Sequence, residues 1–185
     1  MYSKSALIDL VRAKALKFGD FTLASGKKAS YFLDCKEITL DSIGAVMVGE
    51  GLLELIGTPL PDAVGGMSIG ADPILASVIT IAGLKQLPLL GVMVRKEPKD
   101  HGTKKCIEGP VKPGQSIVIV EDVVTTGGSS LKAIEHCEAF GLKVTRVLAI
   151  IDREEGGREA FESRGYPFQS LLSIRDFGIT PPAKS

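Results

Sequence analysis

Ile117-Val118-Ile119-Val120-Glu121-Asp122-Val123-Val124-Thr125-Thr126-Gly127-Gly128-Ser129-Ser130 changes character twice along its length. The first four residues are apolar and β-branched without alternation. That pattern suits a strand buried on both faces of a parallel sheet, because a half-buried strand would alternate polar and apolar side chains. Two adjacent carboxylates, Glu121 and Asp122, come at the tip of this strand. A Thr/Gly/Ser loop follows, and a helix is predicted over Gly128 to Phe140, closed by Gly141.

Each part of the segment has a chemical use. The loop and the helix start offer hydroxyls, unpaired N–H groups and the positive end of the helix dipole, which together seat a phosphate. Glycine lets the backbone come close to the anion. Glu121 and Asp122 repel that phosphate, so their targets are sugar hydroxyls, a bound Mg²⁺, or both. A ribose 5-phosphate answers this description. The bland reading is a capped helix after a strand with two solvated acids. Neither the GxxxxGK[ST] spacing of a P-loop nor a GxGxxG after a strand is present.

Working outward, strands are predicted at Asp62 to Gly66, Leu89 to Val94, Val144 to Ile151 and Phe168 to Ile174. Helices are predicted at Ser5 to Leu16, Ser42 to Ile56 with Ser42 as N-cap, and Ala71 to Leu84. Strands alternating with helices give an α/β fold, a doubly wound, mostly parallel sheet flanked by helices. Near the N-terminus Phe21-Thr22-Leu23 and Tyr31-Phe32-Leu33 form a hairpin around the turn Ser25-Gly26-Lys27-Lys28. Ligands of such sheets bind beyond the carboxyl ends of the strands, here the loops after Gly66, Val94, Val120 and Ile151.

Composition narrows the classes. The chain of 185 residues is 44% hydrophobic and 24% charged, ordinary for a globular protein with its own core. A net charge of zero argues against a nucleic-acid-binding protein. The three cysteines, Cys35, Cys106 and Cys137, include no CxxC, and with only two histidines a zinc site is not expected. Charges punctuate the first residues, and no apolar run is long enough for a membrane span, so a cytoplasmic protein with reduced thiols is expected.

The segment from Ile117 to Ser130 closely resembles the 5-phosphoribosyl-1-diphosphate (PRPP) signature of type I phosphoribosyltransferases. The resemblance implies that Glu121 and Asp122 hold the ribose hydroxyls. It further implies that Val123, Val124, Thr125, Thr126, Gly127, Gly128 and Ser129 line the phosphate end, under a small N-terminal hood. Two further segments are similar to the orotate branch of that family. Phe18-Gly19-Asp20-Phe21-Thr22-Leu23-Ala24-Ser25-Gly26-Lys27-Lys28-Ala29-Ser30-Tyr31-Phe32 resembles its hood, and Arg95-Lys96-Glu97-Pro98-Lys99-Asp100-His101-Gly102 resembles its catalytic loop.

By that resemblance Arg95, Lys96, Lys99 and His101 contact the diphosphate, with Lys99 and Asp122 foremost among the catalytic residues. Cations there would stabilise the charge that builds on the leaving group, where catalysis gains most. Arg153 would pair with the orotate carboxylate, beside Thr125, Tyr31 and Phe32. Mg²⁺ would be held through PRPP, with Glu121 and Asp122 as its protein ligands. The matching loop of the family crosses a two-fold axis, which implies a homodimer sharing residues 95–102 between subunits.

A single domain over 1–185 is expected, with the hood over about 1–40 and the core over about 41–175. The resemblance also implies a strained or cis peptide in the turn Gly66-Met67-Ser68. Two departures stand out. Ala24 and Ile69 occupy positions where many members carry a basic residue and a lysine. Two other readings stay open: a phosphoribosyltransferase for another base, and a non-catalytic regulator on the same fold that senses PRPP or a nucleotide.

Overall fold

The computed structural model describes residues 2–22, 28–97 and 106–182. Its main sheet has six strands: β3 (Ala63–Met67), β4 (Leu90–Val94), β5 (Ile107–Glu108), β6 (Ser116–Val124), β7 (Lys143–Asp152) and β8 (Phe168–Ser173). Their order is β5-β4-β3-β6-β7-β8. Every pairing is parallel except that of β5, which runs antiparallel to β4 at the edge of the sheet. A separate antiparallel hairpin, β1 (Leu16–Thr22) with β2 (Lys28–Leu33), forms the second sheet.

The apolar run of β6 serves two cores at once. Val118 and Val120 point into one cluster, with Leu7, Val48, Leu52, Ile74, Val78 and Leu172. Ile117 and Ile119 point into another, with Val92, Ala133, Ile134, Cys137, Val147 and Phe161. The first core lies under α1 (Lys4–Lys14), α3 (Ser42–Ile56) and α4 (Asp72–Leu84); the second lies under α5 (Gly128–Phe140) and α6 (Gly157–Glu162). Period-two geometry sends neighbouring residues to opposite faces. Both faces are covered, so an unbroken apolar strand is the stable solution.

Several boundaries differ from the sequence expectation, each for a local reason. The first helix stops at Lys14 because Leu16 opens β1. The N-cap of α3 is Asp41 and not Ser42: the Asp41 carboxylate accepts from Ile43 and Gly44 N–H at 3.1 and 3.0 Å. Strand β6 continues through Val124, so Glu121 and Asp122 sit within the strand and not at its tip. Four short elements escaped the sequence reading: α2 (Lys36–Thr39), β5, α6 and a 3-10 helix at Ile174–Phe177. Each is too short to show periodicity. Among the described residues no helix is long and apolar enough to cross a membrane.

Candidate functional site

The carboxyl ends of β3, β6 and β7 converge, and their following turns supply the polar groups. Helix α5 begins at Gly128 after Gly127, whose φ of 81° is left-handed, and no side chain caps it. The first-turn N–H groups are therefore free to bind an anion. At two glycines there is no room for extra atoms. A Cβ on Gly127 would meet the Phe161 ring at 2.8 Å, and one on Gly157 would lie 2.3 Å from Val124 Cγ1 and 2.8 Å from the Thr125 carbonyl. Gly157 N–H also donates to that Thr125 carbonyl at 2.9 Å. So α6, unseen in the sequence, is the platform under the loop. Gly157→Ala should cost about 1–3 kcal/mol through overpacking. A thermal melt matching wild type would show that α6 does not brace the loop.

The two acids of β6 differ. Glu121 is only 6% exposed and accepts a hydrogen bond from the Ser130 hydroxyl at 2.9 Å. Burial, and then the neighbouring Asp122 charge, push its carboxyl up to about 7. Asp122 is half-buried and accepts from Val123 N–H at 2.8 Å. Its carboxylate faces the turn after β3: a Cβ on Gly70 would come within 3.4 Å of Asp122 Oδ1. In that turn Ser68 Oγ donates to Asp72 Oδ1 at 2.8 Å. The cis peptide expected at Gly66-Met67-Ser68 falls one bond later, at Ser68–Ile69. Ile69, standing where a lysine was looked for, is 77% exposed.

Arg153 lies directly alongside the segment. Its N–H donates to the Val124 carbonyl at 2.9 Å. Its guanidinium stacks 4.9 Å from the Tyr31 ring centroid and pairs with Glu155 at 2.6 Å, while Nε is buried without a hydrogen-bond partner. Burial raises the Tyr31 hydroxyl pKa, against the lowering effect of the Arg153 charge. The stack brings the hairpin over the end of β7. Phe32 points to the other strand face, pairing with Phe21 at 5.7 Å. Next to Arg153, Asp152 is buried and accepts from Glu154 N–H at 2.8 Å, with Arg158 at 3.5 Å. These contacts fix the turn that carries Arg153.

Arg95 and Lys96 line a cleft of about 680 Å³ with Ser68, Ile69, Asp72 and Met93. The base of their loop is closed by Arg95 N–H donating to the Cys106 carbonyl at 2.8 Å. Lys99 and His101 lie outside the described residues, as do Leu23 to Lys27 of the hood. The structure thus brings together Glu121, Asp122, the loop Thr125 to Ser129, Arg153 and Tyr31, with Arg95 and Lys96 at the outer edge. Ser130, Glu155 and Gly157 went unread in the sequence. A Ser at the fourteenth place of the quoted segment and a Glu two after Arg153 carry no signal until the fold brings their partners to them.

Comparisons with known proteins give the family. Residues 66–170 match the phosphoribosyl transferase domain family. The chain is 55% identical over 181 residues to an orotate phosphoribosyltransferase of Rhodopirellula baltica, covering 95% of this chain and 94% of that one. An orotate phosphoribosyltransferase of Aquifex aeolicus is 42% identical, covering 95% and 98%. Among solved structures, the orotate phosphoribosyltransferase of Mycobacterium tuberculosis in complex with PRPP superposes with a TM-score of 0.80 at 30% identity, over 95% of this chain and 99% of that one.

Proposed function

The chain belongs to the orotate phosphoribosyltransferase family, and from that premise we propose how its residues divide the work. The reaction joins orotate to PRPP, giving orotidine 5′-monophosphate and diphosphate. Orotate N1 attacks C1 of the ribose as the C1–O bond to diphosphate breaks, so no nucleophilic side chain is required. Thr125, Thr126, Gly127, Gly128 and Ser129, with the uncapped start of α5, anchor the 5-phosphate. Val123 and Val124 form the adjoining wall. Glu121 and Asp122 accept from the ribose hydroxyls. Arg153, with Tyr31, Phe32 and Thr125, selects the base through its carboxylate. Arg95, Lys96, Lys99 and His101 stabilise the departing diphosphate.

The observation that carries this reading is the bond between Arg153 N–H and the Val124 carbonyl. It puts Arg153 on the strand next to the segment from Ile117 to Ser130, which supports a carboxylate of the base pairing with it.

Mg²⁺ fits the donor set as a guest of the substrate. Glu121 and Asp122 offer hard oxygen ligands, and no group of three or more His, Cys, Asp or Glu among the described residues forms a metal cage. An ion held by one or two carboxylates plus substrate oxygens is the usual Mg²⁺ arrangement. When bound, it would neutralise diphosphate charge.

The assembly is a homodimer in which residues 95–102 of one chain reach the neighbour's site. Support comes from the exposed apolar side chains Leu40, Ile43 and Val46, beside a shallow groove between α3 and α4. The domain is single, hood about 1–40 and core about 41–175, and the protein is cytoplasmic.

The test is a panel of bases with PRPP and Mg²⁺, following product by chromatography. Orotate should be consumed, and hypoxanthine, adenine and uracil should not. Comparable turnover of a purine would overturn the base assignment.

A further inference from the structure

We infer that Ser130 is a positioning residue for phosphoribosyl transfer: its hydroxyl fixes the Glu121 carboxylate and so locks the ribose-binding acid to the phosphate-binding helix. The inference rests on the reading of Glu121 as a ribose ligand.

Ser130 is the third residue of α5 and 1% exposed. A helical serine commonly bonds back to a carbonyl of its own preceding turn. Here the hydroxyl donates instead to Glu121 Oε2 at 2.9 Å, across the loop from helix to strand. The other hydrogen bond to this carboxylate, from Asp122 N–H to Oε1, is long at 3.4 Å. Ser130 therefore makes the one short bond holding Glu121 among the described residues. A carboxylate left unanchored would be a poorly aimed acceptor for two ribose hydroxyls. Packing alone needs no hydroxyl at this place, since alanine would fill it without a clash. The pair also sets the spacing between the two ends of the ligand. The 5-phosphate sits at the start of α5 and the hydroxyls sit at β6, and the Ser130–Glu121 bond spans the two.

The experiment titrates PRPP with Mg²⁺ into the full chain by calorimetry, comparing wild type, Ser130→Ala, Glu121→Ala and the double variant. Ser130→Ala should weaken PRPP binding about tenfold. The KM for PRPP should rise in step, and the KM for orotate at saturating PRPP should stay at the wild-type value. Added to Glu121→Ala, the Ser130 change should cost no more than about twofold, because the group it positions has gone. Wild-type PRPP affinity in Ser130→Ala overturns the inference. So do fully additive losses in the double variant, or a fall in melting temperature with equal loss on both substrates, which mark a packing role. A wild-type protein that binds PRPP yet forms no product with orotate refutes the functional reading while the cycle still judges the tether. One that does not bind PRPP removes both.

Discussion

Arg153→Ala should lower kcat/KM for orotate by about 30- to 1,000-fold, equivalent to about 2–4 kcal/mol. The guanidinium is already ordered before substrate arrives, held by the Tyr31 ring at 4.9 Å and by Glu155 at 2.6 Å. A planar fork held in place meets a planar carboxylate with little ordering cost. Its buried Nε has no hydrogen-bond partner among the described residues. Removing the side chain leaves the substrate carboxylate desolvated and unpaired, and this is the expensive half of a broken charge pair. The loss should appear mainly in the KM for orotate, with PRPP affinity preserved. Stability should change little, because a partly exposed ion pair contributes about 0–1 kcal/mol. Steady-state kinetics with orotate varied at saturating PRPP checks this. An unchanged kcat/KM would make Arg153 a structural partner of Glu155 and Tyr31 only.

The fold was legible because β6 and its neighbours are long and chemically uniform. Four β-branched residues in a row can be buried on both faces only in a covered parallel sheet, and the two separate cores meeting β6 bear this out. What the sequence hid was short. Helix α6 begins at Gly156-Gly157, a pair that reads as a turn, and its one deeply buried large side chain, Phe161, finds its role only in the fold, against Gly127 and Phe168. The span of α3 was read as found, but its cap was misplaced by one residue because Asp41 and Ser42 are both good caps, and only the observed bonds to Ile43 and Gly44 choose between them.

The site divides in the same way. The acid pair and the loop after it are contiguous in sequence, so their joint chemistry could be read directly. Their inequality could not. Glu121 and Asp122 are neighbours on a strand whose carboxyls still interact with each other, but their other contacts differ. One is drawn under α5 to Ser130 and the other is turned toward Gly70 and the turn after β3. Glu121 is anchored, buried and raised to about 7. Asp122 is the more accessible of the two and faces the turn after β3.

The last expected result concerns the shared site. Lys99→Ala and Asp122→Asn, each inactive as a homodimer, should recover activity when mixed. The loop carrying Lys99 leaves β4 and returns at β5, its base closed by the Arg95–Cys106 bond on the sheet edge. Asp122 is on β6, with β3 between it and β4. The shared site requires a loop rooted at that edge to reach a neighbour across a two-fold axis. If Lys99 of one chain serves Asp122 of the other, the exchange is reciprocal. One site of each mixed dimer then carries both lesions and the other carries none. With free subunit exchange about half the dimers are mixed, so activity should approach roughly a quarter of wild type. Activity is read after mixing at equal concentration, with exchange verified by differently tagged chains. If the loop serves its own chain, each site keeps one lesion whatever the pairing. No recovery despite demonstrated exchange would rule out the shared site.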